Sequence, residues 1–228
     1  MANPGRRSRS SKVLEQVMFT GIIQILGNIK SQTPQEGFSR VVIELPEVIT
    51  DFKVGASVAV NGVCLTIVQT QPRETYTDLH FDVVSETARI TNLGSLQTGN
   101  LVHVERSLKI GDEIGGHLVS GHVMTQAQML HLEGSEHAKR LEIALTPEWN
   151  KYLFTKGFLA VDGVSLTIAE VLTTNETAFV FFNIIPETLK RTRLRQIIPG
   201  NWLNIEIDQQ TKTIVDSVER VLLQKSFS

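Results

Sequence analysis

The chain is short of cysteine, of aromatic residues and of long apolar runs, and each shortage removes a class of protein. A single cysteine, Cys64, excludes an intramolecular disulfide and a thiolate metal cluster built within one chain. It fits a reducing compartment, so the expected location is the cytoplasm. No apolar run approaches the roughly 20 residues that span a bilayer, so no membrane role is expected. Aromatics make up 6% of the residues and the net charge is −2. The basic groove and stacking platforms of a nucleic-acid binder are therefore not foreshadowed. The Walker and dinucleotide glycine spacings are absent too, and Gly115-Gly116 reads as a hinge rather than a phosphate loop.

What is present suits a soluble globular protein: 228 residues, 41% apolar and 20% charged, enough for one large domain or two small ones. Residues 1–17 stand apart. Met1 to Lys12 is basic and nearly free of large apolar side chains, and no apolar stretch follows that would make it a secretory signal. An extension ahead of the domain is expected, with an organelle transit remnant as the alternative.

The rest is organised by a repeat. Val60-Asn61-Gly62-Val63-Cys64-Leu65-Thr66-Ile67 returns as Val161-Asp162-Gly163-Val164-Ser165-Leu166-Thr167-Ile168, an offset of 101. Glu86-Thr87 returns as Glu187-Thr188, and Gly99 to Glu105 as Gly200 to Glu206, in the same register. Thr20-Gly21 and Ser120-Gly121 pair at an offset of 100, as do Arg40 and Arg140. A tandem duplication is expected, with an N-terminal unit at 18–114 and a C-terminal unit at 115–208.

Each unit carries short runs rich in β-branched residues. In the first these are 41–45, 57–60, 64–69, 80–84 and 101–105; in the second, 141–145, 158–161, 165–171, 178–185 and 202–207. Asn61-Gly62 and Asp162-Gly163 are tight-turn pairs, because Asn, Asp and Gly tolerate positive φ. Many short strands in so few residues predict a small closed barrel. Pro46 and Pro147 are expected to open short helices. Beyond the repeats, Ile214, Val215, Val218, Val221 and Leu222 recur at helical spacing, so 209–228 is expected to be a helix. Its apolar stripe serves an oligomer contact or packs on its own barrel.

Met18-Phe19-Thr20-Gly21-Ile22-Ile23-Gln24 resembles the start of riboflavin synthases. So do Asn61 to Thr66, Asp112 to His122 (Asp-Glu-Ile-Gly-Gly-His-Leu-Val-Ser-Gly-His), Asp162 to Thr167, and Ile185-Pro186-Glu187-Thr188-Leu189. The resemblance runs from Met18 to about Leu223. It implies an all-β fold of two similar six-stranded Greek-key barrels with short helices, and a C-terminal helix that builds a homotrimer. It implies a transferase that needs no metal or other cofactor. Two molecules of 6,7-dimethyl-8-ribityllumazine exchange a four-carbon unit, giving riboflavin and 5-amino-6-ribitylamino-uracil. The site is expected between the N-terminal barrel of one subunit and the C-terminal barrel of its neighbour, and an association with lumazine synthase is a further expectation.

The same resemblance implies the ligand contacts. On the N-terminal barrel these are Gly21, Ile22, Ile23, Cys64, Leu65, Thr66, Asp82, Val83, Val84, Ser85, Glu86 and Thr87. On the C-terminal barrel they are Gly121, His122, Val123, Lys156, Ser165, Leu166, Thr167, Asn183, Ile184, Ile185, Pro186, Glu187 and Thr188. Ser57 is a weaker candidate.

Two identical substrates must play different roles, so positions where the repeats differ are informative: Cys64 against Ser165, Ile22 against His122, Asn61 against Asp162, Asp82 against Asn183. The reaction needs a base to remove a proton from a C7 methyl group. His122 is the candidate, since an unperturbed imidazole titrates near 6.5, with Ser165 or water as relay. It also needs a nucleophile at C7 of the other lumazine. Cys64, Ser165 or water could serve, or the side chains could only hydrogen-bond. Read without the motifs, Cys64 is a small buried hydrophobe, His122 a surface histidine, Lys156 an exposed lysine and Asp162 a turn residue. The rival functions are a non-catalytic lumazine- or flavin-binding protein on the same fold and an oligonucleotide-binding barrel.

Overall fold

The computed structural model describes residues 17–135 and 137–226, so all but the last residue of the expected leading extension lies outside the described residues. Strands β1 (Ile25–Gln35), β2 (Phe38–Leu45), β3 (Ser57–Val60), β4 (Val63–Pro72), β5 (Thr77–Val84) and β6 (Leu101–Arg106) close into one antiparallel barrel in the order β1-β2-β5-β4-β3-β6. Strands β7 (Thr125–Gly134), β8 (Lys139–Leu145), β9 (Phe158–Val161), β10 (Val164–Thr173), β11 (Ala178–Ile184) and β12 (Trp202–Ile207) repeat the same cycle. Closure pairs every strand on both sides, which removes the exposed edges an open sheet would present.

Side-chain alternation fills each barrel. Val41, Ile43, Leu45, Ile67, Leu79, Phe81 and Val83 point into the first; Leu141, Ile143, Leu145, Ile168, Val180, Phe182 and Ile184 into the second. β1 and β7 carry no strong apolar run. Past Ile29, β1 turns polar, β7 mixes Gln, His and Glu among its apolar residues, and a bulge in each shifts the register against its neighbour. Helices α1 (Ser85–Ile90) and α2 (Pro186–Arg191) follow β5 and β11. Pro147 opens a 3-10 turn over Pro147–Tyr152, as its fixed φ favours. Pro46 opens no helix: the backbone from 46 to 56 is bends and turns, and the expectation of a helix there is corrected.

The two barrels are joined by crossed arms. Ahead of β1, Phe19 bridges Val119, its counterpart ahead of β7, through N–H···O bonds of 2.7 and 3.0 Å. Phe19, Val119, Ala59 and Ala160 form a small core between the barrels, with Cys64 against it. Each arm then buries an apolar side chain in the opposite barrel: Ile23 joins the core of the second, and Val123 packs on the core of the first. Truncating the fully buried Phe19 would cost about 3–5 kcal/mol.

A buried polar network seals the rest of the junction. The turns at Asn61-Gly62 and Asp162-Gly163 abut, and a Cβ on Gly62 would lie 2.6 Å from the Gly163 nitrogen. Asp162 is fully buried. Its Oδ1 accepts from the Asn92 amide (2.7 Å) and the Asn204 backbone (2.8 Å), and its Oδ2 pairs with Arg193. His103, also fully buried, accepts the Arg193 backbone N–H at Nε2 (2.8 Å), so Nδ1 is left to donate to the Asp162 carbonyl (2.8 Å). Asp162 thus does more than serve its turn.

Helix α3 (Gln209–Ser226) leaves the second barrel. Asp208 accepts from the Thr211 backbone at its start. Tyr152 donates to Asp216 (2.5 Å), Lys151 pairs with Glu219, and Val215 packs on the barrel core. Ile214, Val218, Val221, Leu222 and Leu223 stay half or more exposed, while Val215 of the same stripe packs on the core of its own barrel.

Candidate active site

Strand geometry sorts the expected contact residues by face. On β4 and β5, Cys64, Thr66, Asp82 and Val84 point outward while Leu65 and Val83 are buried in the barrel. On β10, on β11 and just after it, Ser165, Thr167, Asn183 and Ile185 point outward while Leu166 and Ile184 are buried. Each barrel therefore presents one outward patch of equivalent positions. Leu65, Val83, Leu166 and Ile184 can offer a ligand only backbone groups.

The crossed arms complete these patches from the opposite barrel. The Gly121 carbonyl accepts from the Cys64 backbone N–H (2.8 Å), and the Gly21 carbonyl accepts from that of Ser165 (2.8 Å). Both glycines are left-handed, at φ +79° and +73°, and a Cβ would lie 2.5 Å from the Cys64 Cβ or 2.6 Å from the Ser165 Cβ. Gly121 and His122 thus stand beside Cys64, and Gly21 and Ile22 beside Ser165. Grouping by barrel, as the sequence suggested, is crossed in space.

Around Ser165 the histidine is His117, not His122. His117 Nδ1 lies 2.7 Å from Ser165 Oγ, and its ring stacks on Phe158 with centroids 5.2 Å apart. Burial lowers the His117 pKa against a smaller opposing pull from Asp208, so the neutral imidazole is favoured and can accept the hydroxyl proton. Gly116 packs here too: a Cβ on it would meet the Thr20 carbonyl at 2.2 Å and Ser165 Oγ at 2.9 Å. The glycine pair is more than a hinge.

Around Cys64 the chemistry differs. Burial pushes the thiol pKa up; a hydrogen bond from Ser57 opposes this and the Glu206 charge adds to it. The thiol is protonated at neutral pH and is a poor nucleophile there. His122 is exposed, and its backbone N–H donates to Ser120 Oγ (3.3 Å).

A second asymmetry lies beside the patches. Asp82 accepts a two-pronged ion pair from Arg40 (2.5 and 2.9 Å). Its counterpart Asn183 is neutral, and Arg140 pairs with Glu170 and stacks over Phe181 instead. Glu86 pairs with Arg89 and Glu187 with Arg191 on exposed helix faces. Lys156 is exposed in a turn at φ 71°. A cleft of about 850 Å³ runs between α1 and the second barrel and reaches Ser85, but Cys64, Ser165 and His122 do not line it.

The model of the lumazine binding domain matches this chain twice, at residues 20–107 and 120–208. Riboflavin synthase of Escherichia coli (strain K12) is 44% identical over 207 residues, 90% of this chain and 93% of that protein. The chain belongs to the riboflavin synthase family. Family members from Chlamydia pneumoniae, 41% identical over 90% of this chain and 97% of theirs, and Mycobacterium bovis, 34% over 86% and 96%, span it similarly. Among solved structures, LumP complexed with riboflavin superposes with a TM-score of 0.71 at 22% identity, covering 83% of this chain and 98% of that one. That likeness speaks for the fold alone.

Two features of this family member were not singled out from sequence: the His117–Ser165 contact, and the buried carboxylates Glu105 and Glu206. Both carboxylates stood in the repeated Gly99–Glu105 and Gly200–Glu206 segments, as acids closing an apolar strand. Glu105 Oε1 accepts from Thr20 N (2.7 Å) and Oγ1 (2.8 Å), and Oε2 from Gly21 N (3.1 Å). Glu206 does the same for Ser120 N (2.7 Å), Ser120 Oγ (2.8 Å) and Gly121 N (2.9 Å).

Proposed function

We propose that the chain is a riboflavin synthase, a transferase that converts two 6,7-dimethyl-8-ribityllumazine molecules into riboflavin and 5-amino-6-ribitylamino-uracil. The observation that carries this reading is a pair of equivalent outward patches made chemically unequal. One has a serine hydroxyl against a neutral imidazole; the other has a protonated thiol beside an exposed histidine. A reaction that joins two copies of one molecule needs two related cavities, and assigning donor and acceptor needs them to differ. Holding the pair in register is worth up to about 7–11 kcal/mol of the barrier.

In this proposal Ser165 adds to C7 of one lumazine, the C7 π pair moving into the ring as the hydroxyl proton passes to His117 Nδ1, and the serine takes that proton back when it leaves C7. The hydroxyl is the better placed nucleophile, because His117 Nδ1 stands 2.7 Å away to take its proton, while burial holds the Cys64 thiol protonated. His122 takes the C7-methyl proton of the other lumazine, whose carbanion is delocalised into the ring. Outward threonines 66 and 167 suit the ribityl chains, and backbone groups of the strands suit the pteridine edges.

The patches lie on the open outer surface of each barrel. That supports a site closed by a neighbouring copy, with the N-terminal patch of one subunit facing the C-terminal patch of the next in a homotrimer. The exposed stripe of α3 supports the same arrangement. The unpaired cysteine supports a reducing location, the cytoplasm. An association with lumazine synthase, as the source of substrate, belongs to the same proposal. The direct test is to incubate purified protein with the lumazine and follow riboflavin absorbance. Product at half the molar yield of consumed lumazine is expected; binding without turnover would make the chain a non-catalytic binder.

A further inference from the structure

Two carboxylates, each 3% exposed, sit at the root of the crossed arms: Glu105 on β6 and Glu206 on β12. Each gathers three donors from the arm of its own barrel, and that arm lays a glycine carbonyl on the patch of the other barrel. We propose that Glu105 and Glu206 are positioning residues that act crosswise: Glu206 of the second barrel sets the patch of Cys64 and His122, and Glu105 of the first sets the patch of Ser165. The inference rests on the reading of these patches as half-sites.

The chain of contacts is short and continuous. Glu206 Oε1 and Oε2 accept from Ser120 and Gly121, the Gly121 carbonyl accepts from Cys64 N, and Ser120 Oγ accepts from His122 N at 3.3 Å. In the first barrel Glu105 accepts from Thr20 and Gly21, the Gly21 carbonyl accepts from Ser165 N, and Thr20 Oγ1 accepts from Ile22 N at 3.3 Å. Only an acceptor with two open oxygens satisfies three converging donors. An amide would turn one NH2 group against a donor and leave buried groups unpaired. Burial pushes both carboxyl pKa values up and the arm hydrogen bonds pull them back; His122 also pulls on Glu206. Each left-handed glycine leaves no room for a Cβ against the facing strand, so its carbonyl seats directly on that strand.

Cys64 is the sole cysteine, so thiol labelling reads one patch and not the other. In Glu206→Gln, Cys64 is expected to react with a maleimide about tenfold faster, the scale of one lost charge-assisted hydrogen bond. The pH profile of labelling should also move down, because a negative charge that raises the thiol pKa is gone. In Glu105→Gln the labelling rate and profile should stay near those of the starting protein while riboflavin formation falls. Equal acceleration in both variants, or none in Glu206→Gln, overturns the crosswise assignment. If Glu206→Gln does not fold, Ser120→Ala against Thr20→Ala makes the same comparison, with faster labelling expected only in Ser120→Ala. A protein that makes no riboflavin defeats the functional reading but leaves the labelling comparison decisive for the clamp.

Discussion

Ser165 and Cys64 occupy one position in two repeats yet meet different partners, and the difference sets what each can do. Ser165 Oγ has a neutral imidazole at 2.7 Å, whereas the Cys64 thiol is raised by burial. Ser165→Ala and His117→Ala are each expected to lower kcat by about 10²–10⁴-fold, with the double variant little worse than the weaker single, because the pair acts as a unit. Steady-state rates at wild-type level in either single variant would remove the pair from the mechanism. The neutral imidazole is the working form and its pKa is depressed. The rate profile should therefore carry an acidic component below the ordinary histidine range that is missing from His117→Gln. The Ser165 position was legible from the repeat. Its partner was not, because His117 lies 48 residues away and reaches Ser165 only through the arm.

At the scale of elements, the junction between barrels is held by groups whose protonation matters. His103 uses both ring nitrogens in one neutral tautomer, and burial first of all depresses its pKa from 6.5 to about 4, with Arg193 adding to this and Asp162 opposing it. A depressed histidine stabilises the fold where it is neutral. Its contribution is present above pH 6.5 and is lost as pH falls toward 4, a difference of about 3 kcal/mol. His103→Asn copies the counterpart Asn204 and cannot titrate. Urea unfolding at pH 7 and pH 4 should show the wild type losing about 3 kcal/mol more than the variant; equal losses would place the pH sensitivity elsewhere. Ten strands were legible as β-branched runs between turn signals. β1 and β7 were not, because polar residues interrupt their apolar positions and a bulge breaks the alternation in each. The Pro46 helix was misjudged because proline at the start of a segment permits a helix without supplying the contacts that sustain one.

For the whole molecule the question is what covers α3. The helix is tied to its barrel by Val215, Tyr152 and Lys151, while Ile214, Val218 and Val221 stay exposed on one stripe. If the proposed trimer closes through this stripe, removing the chain from Thr213 onward should leave monomers in sedimentation and abolish most riboflavin formation. A fully active truncated monomer would place the whole site within one chain.

The sequence by itself determined the duplication, the strand-rich units, the tight turns and the terminal helix. These depend on periodicity, turn chemistry and register, which are local or repeat at a constant offset. Only the tertiary structure decided that the arms cross, that His117 rather than His122 meets Ser165, and that Glu105 and Glu206 clamp the opposite barrels' patches. Those contacts join residues roughly 50 to 145 positions apart around a pseudo-twofold junction. Their partners are chosen by how two closed barrels pack, and no local pattern encodes that choice.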